Sequence, residues 1–90
     1  MSARAPFESI EGALEYVALL SEAIEKARTS VEADVTRARA EGVTRRLDAL
    51  QLAAYKLDRL ASHVNTSHRL LNDLRTLRRL LLGERHEEAP

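Results

Sequence analysis

The chain has 90 residues, 14 acidic and 14 basic side chains, and no cysteine. Such a length allows at most one domain and lies near the lower limit for a self-sufficient core, and the composition offers neither a disulfide nor a Cys/His cluster for a structural metal. The N-terminus lacks the features of a secretory signal and no apolar run exceeds four residues, so we expect a cytoplasmic protein with no membrane span and no cofactor.

The first predicted helix covers about residues 6–41 and follows a disordered N-terminus at residues 1–5. Pro6 suits the first turn of a helix, where its missing N–H is no loss. Steps of three and four then keep one stripe of positions on a single face: Ile10, Leu14, Val17, Ser21, Ile24, Arg28, Val31, Val35 and Ala38. A capping-box pattern at Thr29–Glu32 leaves open a break near Thr29.

A turn is predicted at residues 42–43. Gly42 can adopt the left-handed conformation that ends a helix, and Thr44 can cap the next one. If the first stripe continued past Gly42 in one helix, it would reach mostly polar positions such as Arg45, Lys56 and Arg59. The sequence therefore predicts that the chain turns back on itself.

The second predicted helix covers about residues 44–82 and precedes a disordered polar tail at residues 84–90. Its own stripe comprises Leu47, Leu50, Ala54, Leu57, Ala61, Val64, His68 and Leu71. Further leucines spread around the C-terminal half, and one partner helix cannot cover them all. We therefore predict an all-α fold, a long antiparallel helical hairpin that dimerises into a four-helix bundle. The predicted dimer or partner interface comprises Leu57, Leu60, Val64, Leu71, Leu74, Leu77 and Leu81; the relative direction of the two hairpins stays open.

Charge is unevenly distributed along the chain. Residues 1–34 carry seven acids and three bases, whereas residues 35–90 carry eleven bases and seven acids. Opposite signs favour helices that lie side by side, although each exposed pair contributes only about 0–1 kcal/mol. An antiparallel hairpin would place Arg28 near Asp58, and the C-terminal arginines opposite Glu11.

Two polar clusters are candidate sites. Asn65, His68 and Asn72 lie on one side of the second helix. They suggest a polar layer that fixes register or a histidine that accepts a phosphoryl group, and a histidine that is simply hydrogen-bonded inside or at the edge of a bundle explains the same pattern. Ser67-His68-Arg69 is similar to the short histidine boxes of sensor-kinase dimerisation hairpins, but that family carries the histidine on its first helix, so no role is carried over. The second cluster, a candidate anion patch, flanks the turn: Arg37, Arg39, Arg45 and Arg46.

No combination of residues in the sequence resembles an enzyme site or a metal site. The sequence therefore predicts a small dimerising helical interaction or scaffold module that binds another, unidentified protein without catalysis. The alternatives are nucleic-acid binding through the arginines at the turn and histidine phosphotransfer through His68.

Overall fold

The computed structural model describes residues 9–88, with side chains through residue 83. It contains two α-helices, α1 (Ile10–Glu41) and α2 (Thr44–Glu88), which pack against each other as a hairpin. The prediction of an all-α helical hairpin is therefore confirmed.

The turn is closed by backbone hydrogen bonds around one left-handed glycine. Gly42 has φ 71° and ψ 24°, a conformation that glycine adopts without the steric penalty of a Cβ atom. The Gly42 N–H donates to the Arg39 carbonyl at 3.3 Å, and the Val43 N–H donates to the Ala38 carbonyl at 3.2 Å. These two bonds form a Schellman motif, which satisfies the last carbonyls of α1 and reverses the chain.

The two apolar stripes meet along the hairpin as a seam. The buried side chains of the described residues are Ile10, Leu14, Ile24 and Ala38 from α1 and Val64 from α2. The stripe positions of α2 on either side of Val64 are half-buried, and the half-buried pattern continues beyond Leu71 to Arg75 and Arg78. On α2 the seam is thus apolar near the turn and increasingly polar towards the open end of the hairpin, where α1 contributes the buried Ile10 and Leu14.

The helix ends differ from those predicted. The structure describes α1 from Ile10, and the predicted start at Pro6 and the predicted disordered residues 1–5 lie outside the described residues. Whereas we predicted that α2 ends at Leu82, it continues through Gly83 to Glu88, so residues 84–88 of the predicted disordered tail are helical and residues 89–90 are not described. Gly42 is the only described glycine with positive φ, and a glycine in helical conformation costs only about 1 kcal/mol, which does not end a helix.

The first helix is continuous through Thr29, where the sequence left a break open. The Thr29 hydroxyl donates to the Glu25 carbonyl at 3.1 Å within the helix. This i−4 bond satisfies the side chain without the non-helical backbone that a capping box requires.

The hairpin is elongated and flat, with extents of 73 × 28 × 14 Å. Its smallest extent is close to the diameter of a single helix, about 10–12 Å. Domains usually bury their cores between two packed layers, but here one layer of two helices leaves the seam flanked by open surface on both sides.

Candidate interaction surfaces

A short polar chain runs along the seam face of α2. The Arg75 guanidinium donates to the Asn72 side-chain oxygen at 3.0 Å, and the Asn72 amide nitrogen lies 3.3 Å from Nδ1 of His68. Because arginine can only donate, it fixes the orientation of the Asn72 amide, so the amide N–H faces His68 and Nδ1 accepts. His68 and Asn72 are half-buried. Asn65, the third predicted member of this layer, is exposed and lies outside this bonded chain.

A groove opens beside this polar chain on one side of the seam. It has a volume of about 300 Å³ and is lined by Val17, Ala18, Ser21, Val64, Asn65 and His68. A second groove of about 440 Å³ continues towards the turn, past Arg28, Asp58 and Ser62. Small side chains such as Ala18 and Ser21 leave this space unfilled. The side of the seam with the two grooves therefore presents hydroxyl, amide, imidazole and charged groups that can bind a polar surface.

Among the described side chains, two ion pairs join the helices. Arg78 donates two hydrogen bonds to the Glu11 carboxylate, at 2.8 and 2.7 Å, and these bonds lower the pKa of Glu11 below the ordinary value of 4.5. Arg28 lies 2.7 Å from Asp58 of α2 and 2.8 Å from Glu25 of its own helix. The hydrogen bond to Glu25, supplemented by the charge of Asp58, raises the pKa of Arg28. These pairs set the register of α1 against α2.

The two sides of the seam differ in chemistry. On the side of the grooves, the residues of α1 next to the seam are exposed, as at Glu25, and so are Asp58 and Asn65 of α2. On the opposite side, α1 carries residues at seven-residue intervals that are half-buried: Ala13, Leu20, Ala27 and Asp34. Seven residues make two helical turns, so these positions lie along one edge of the seam.

The opposite side carries a largely apolar surface in the half of the hairpin away from the turn. We call it the open-end face and define it as Ala13, Tyr16, Leu20, Ala23 and Ala27 of α1 with Leu60, Leu70, Leu74, Leu77 and Leu81 of α2. Spacings of three and four place the α1 set along one side of its helix. The same spacings run along α2 through Leu60, His63, Ser67, Leu70, Leu74, Leu77 and Leu81, so two polar residues separate Leu60 from the other leucines. The six large side chains other than Leu20 are 40 to 68 % exposed. Nearer the turn, the same side becomes polar at Ser30, Asp34, Arg37 and Lys56.

The structure divides the predicted interface residues into two groups. Leu57, Val64 and Leu71 are buried or half-buried in the seam within one chain. Leu60, Leu74, Leu77 and Leu81 are 40 to 52 % exposed and belong to the open-end face. The contribution of α1 to this face was missed from the sequence. Its signal is the seven-residue recurrence of Ala13, Leu20 and Ala27, which the smaller side chains made hard to recognise beside the main stripe.

The arginines that flank the turn form no concentrated positive surface. Arg37, Arg39, Arg45 and Arg46 are all exposed, and Arg37 lies 3.3 Å from Asp34 of its own helix. Acidic residues at Glu41 and Asp48 share this end of the hairpin. The charges near the turn therefore largely balance.

Two features are absent from the described residues: a membrane-spanning helix and a cluster of metal-binding side chains. Neither helix contains, within those residues, a stretch long and apolar enough to cross a membrane. No group of three or more His, Asp and Glu side chains in the described part of the chain could hold a metal ion. Comparisons of the chain with protein-family models, with curated proteins and with solved structures found no match.

Proposed function

We propose that the chain is a non-catalytic helical interaction module that pairs with a second copy as a four-helix bundle and, in that form, binds another protein. The observation that carries this proposal is the open-end face, an exposed apolar surface shared by both helices. Monomeric proteins rarely expose contiguous apolar surface of this kind unless it binds something. A second hairpin stacked on this face would supply the second layer that the single-layer hairpin lacks.

The free energy gained by covering the exposed leucines and Tyr16 is of the size that a reversible dimer needs. Full burial of a large apolar side chain stabilises by about 2 kcal/mol, so covering the exposed halves of six of them contributes about 1 kcal/mol each. Two copies together gain about 12 kcal/mol from this burial. This gain is similar in size to the free-energy cost of association, which is about 4–15 kcal/mol. We therefore expect a dimer that dissociates on dilution.

The side of the grooves supports the second part of the proposal. In a dimer joined through the open-end faces, the grooves at Ser21, Asn65 and His68 point outward on both copies. Their mixed donors and acceptors suit a polar protein surface better than an apolar ligand. The same dimer would therefore present two equivalent binding sites for its protein partner. Nucleic-acid binding through Arg45 and Arg46 and phosphotransfer through His68 remain predictions from the sequence, and no observation in the structure favours them over this proposal.

Sedimentation equilibrium over a wide concentration range tests the self-association. The wild-type chain should reach twice its mass of 10.1 kDa at high concentration and approach the single-chain mass on dilution. Leu74→Glu, which places a charge in the open-end face, should remain monomeric at concentrations where the wild type is dimeric.

Leu52→Glu is the matched control, because Leu52 is an exposed leucine of α2 that lies outside the open-end face. This variant should dimerise like the wild type, and circular dichroism should show both variants to be helical. A wild-type chain that is monomeric at every concentration would overturn the proposal, as would equal effects of the two substitutions.

A further inference from the structure

We infer that His63 makes the proposed dimer sensitive to pH, so that two copies associate when its imidazole is neutral and separate when it is protonated. This inference rests on the proposed self-association through the open-end face and adds the regulation of that contact. It follows from the place of one histidine among the leucines of the face.

His63 lies within the area that the open-end face covers on α2. It is exposed, and it follows Leu60 by three residues and precedes Leu70 by seven, so the three side chains lie along one side of the helix. Leu60 and Leu70 are 44 and 58 % exposed. A second copy that covers both leucines therefore also covers the imidazole between them, whichever way its helices run.

The open-end face supplies no counter-ion for a protonated imidazole. His63 lies five residues beyond Asp58, which pairs with Arg28, so it is level with α1 about five residues before Arg28, at Ala23. Among the described side chains that form the open-end face, neither helix contributes a carboxylate. Because a twofold dimer uses the same surface on both copies, the second copy brings no carboxylate to this contact either.

On its own side of the hairpin, the charged neighbours of His63 are cations. Arg59 precedes it on α2 by one helical turn and Lys56 by two, and Lys26 lies at about the same level on the outer edge of α1. Asp73 is ten residues further along α2, about 15 Å away along the helix axis. These groups leave a positive charge at His63 uncompensated once water is removed.

Dimerisation therefore requires the neutral imidazole. Histidine gains or loses its charge between about pH 5 and pH 8. Covering a neutral polar ring costs far less free energy than covering a charge without a partner. Each copy must release one proton before it binds, so a dimer releases two. Once the imidazole is largely protonated, the dissociation constant should rise up to about 100-fold for each further unit of falling pH.

Sedimentation equilibrium at about pH 8 and about pH 5.5, on either side of the histidine range, tests the inference. We expect the dissociation constant of the wild-type dimer to be at least about tenfold higher at the lower pH. His63→Gln keeps a polar side chain that does not titrate in this range, so its dissociation constant should be the same at both pH values. Circular dichroism should show the same helix content throughout; loss of helix at the lower pH in the wild type would overturn the inference.

His68→Gln is the matched control. His68 is half-buried in the seam and its ring lies 3.3 Å from the Asn72 amide nitrogen, outside the open-end face, so this variant should keep the pH dependence of the wild type. A wild-type dimer equally strong at both pH values would overturn the inference and leave the proposed dimer standing. The same holds if His63→Gln retains the pH dependence or His68→Gln loses it. A chain that is monomeric at both pH values would overturn the dimer and the inference together.

Discussion

Replacing Gly42 by alanine tests the reversal of the chain at a single backbone position. A Cβ atom added there meets no atom within 4 Å, and φ is +71°, so any loss of stability comes from backbone conformation and not from a clash. The left-handed conformation costs an L-residue about 1–2 kcal/mol. Alanine also restricts the unfolded chain, which returns about 0.4–1 kcal/mol. We therefore expect Gly42→Ala to lower the free energy of unfolding by about 1 kcal/mol per chain.

Gly12→Ala is the matched control, because it makes the same chemical change inside α1. No atom lies within 4 Å of the added Cβ there either, and Gly12 has no positive φ. Alanine is favoured over glycine by up to about 1 kcal/mol in a helix, so Gly12→Ala should raise the free energy of unfolding.

Urea unfolding followed by far-UV circular dichroism, at one fixed protein concentration, measures both variants. The two midpoints should move in opposite directions from the wild-type value. If Gly42→Ala were as stable as the wild type while Gly12→Ala were more stable, the left-handed turn at Gly42 would not be what reverses the chain.

Two further changes test the seam and the ion pair at its end. Ile24→Ala, at a buried seam position, should cost at least about 2 kcal/mol in urea unfolding, whereas Leu19→Ala, at a side chain 66 % exposed, should cost little; similar losses would contradict the seam. Since Arg78 lowers the pKa of Glu11, the pair stabilises the folded chain above the ordinary glutamate pKa and this contribution is lost as the pH falls through the lowered value. Glu11→Gln should thus be less stable than the wild type at neutral pH and approach it in acid; a difference that did not change with pH would refute this.

The hairpin was predictable because its signals are local. The apolar stripe loses its phase at Gly42, and that residue can adopt the backbone conformation that ends a helix. The ion pair of Arg28 with Asp58 also follows from the antiparallel register, because the turn sets which residues lie level.

The open-end face was only half predictable. Leu74, Leu77 and Leu81 are conspicuous on α2. Their counterparts on α1 include Ala13 and Ala27, and small side chains such as alanine give only a weak signal in a search for hydrophobic periodicity. The continuation of α2 past Gly83 was missed for another reason. Glycine ends a helix when its φ is positive, and the sequence does not show which glycine adopts that conformation.

The position of the turn also determines the order in which the hairpin assembles. The bond from Val43 to Ala38 closes a loop of five residues, whereas the bonds from Arg78 to Glu11 join residues 67 positions apart. Loop closure costs about 0.6 kcal/mol more for each doubling of length, so the distant pair begins with a disadvantage of about 2 kcal/mol. Contacts between the helices should therefore form first near Gly42 and last at the other end, and they should open in the reverse order. In the proposed dimer, the open-end face is thus the last part of each chain to form. When a dimer dissociates, this face is also the first part of the free hairpin to lose its structure, so unfolding and rebinding compete for the same residues.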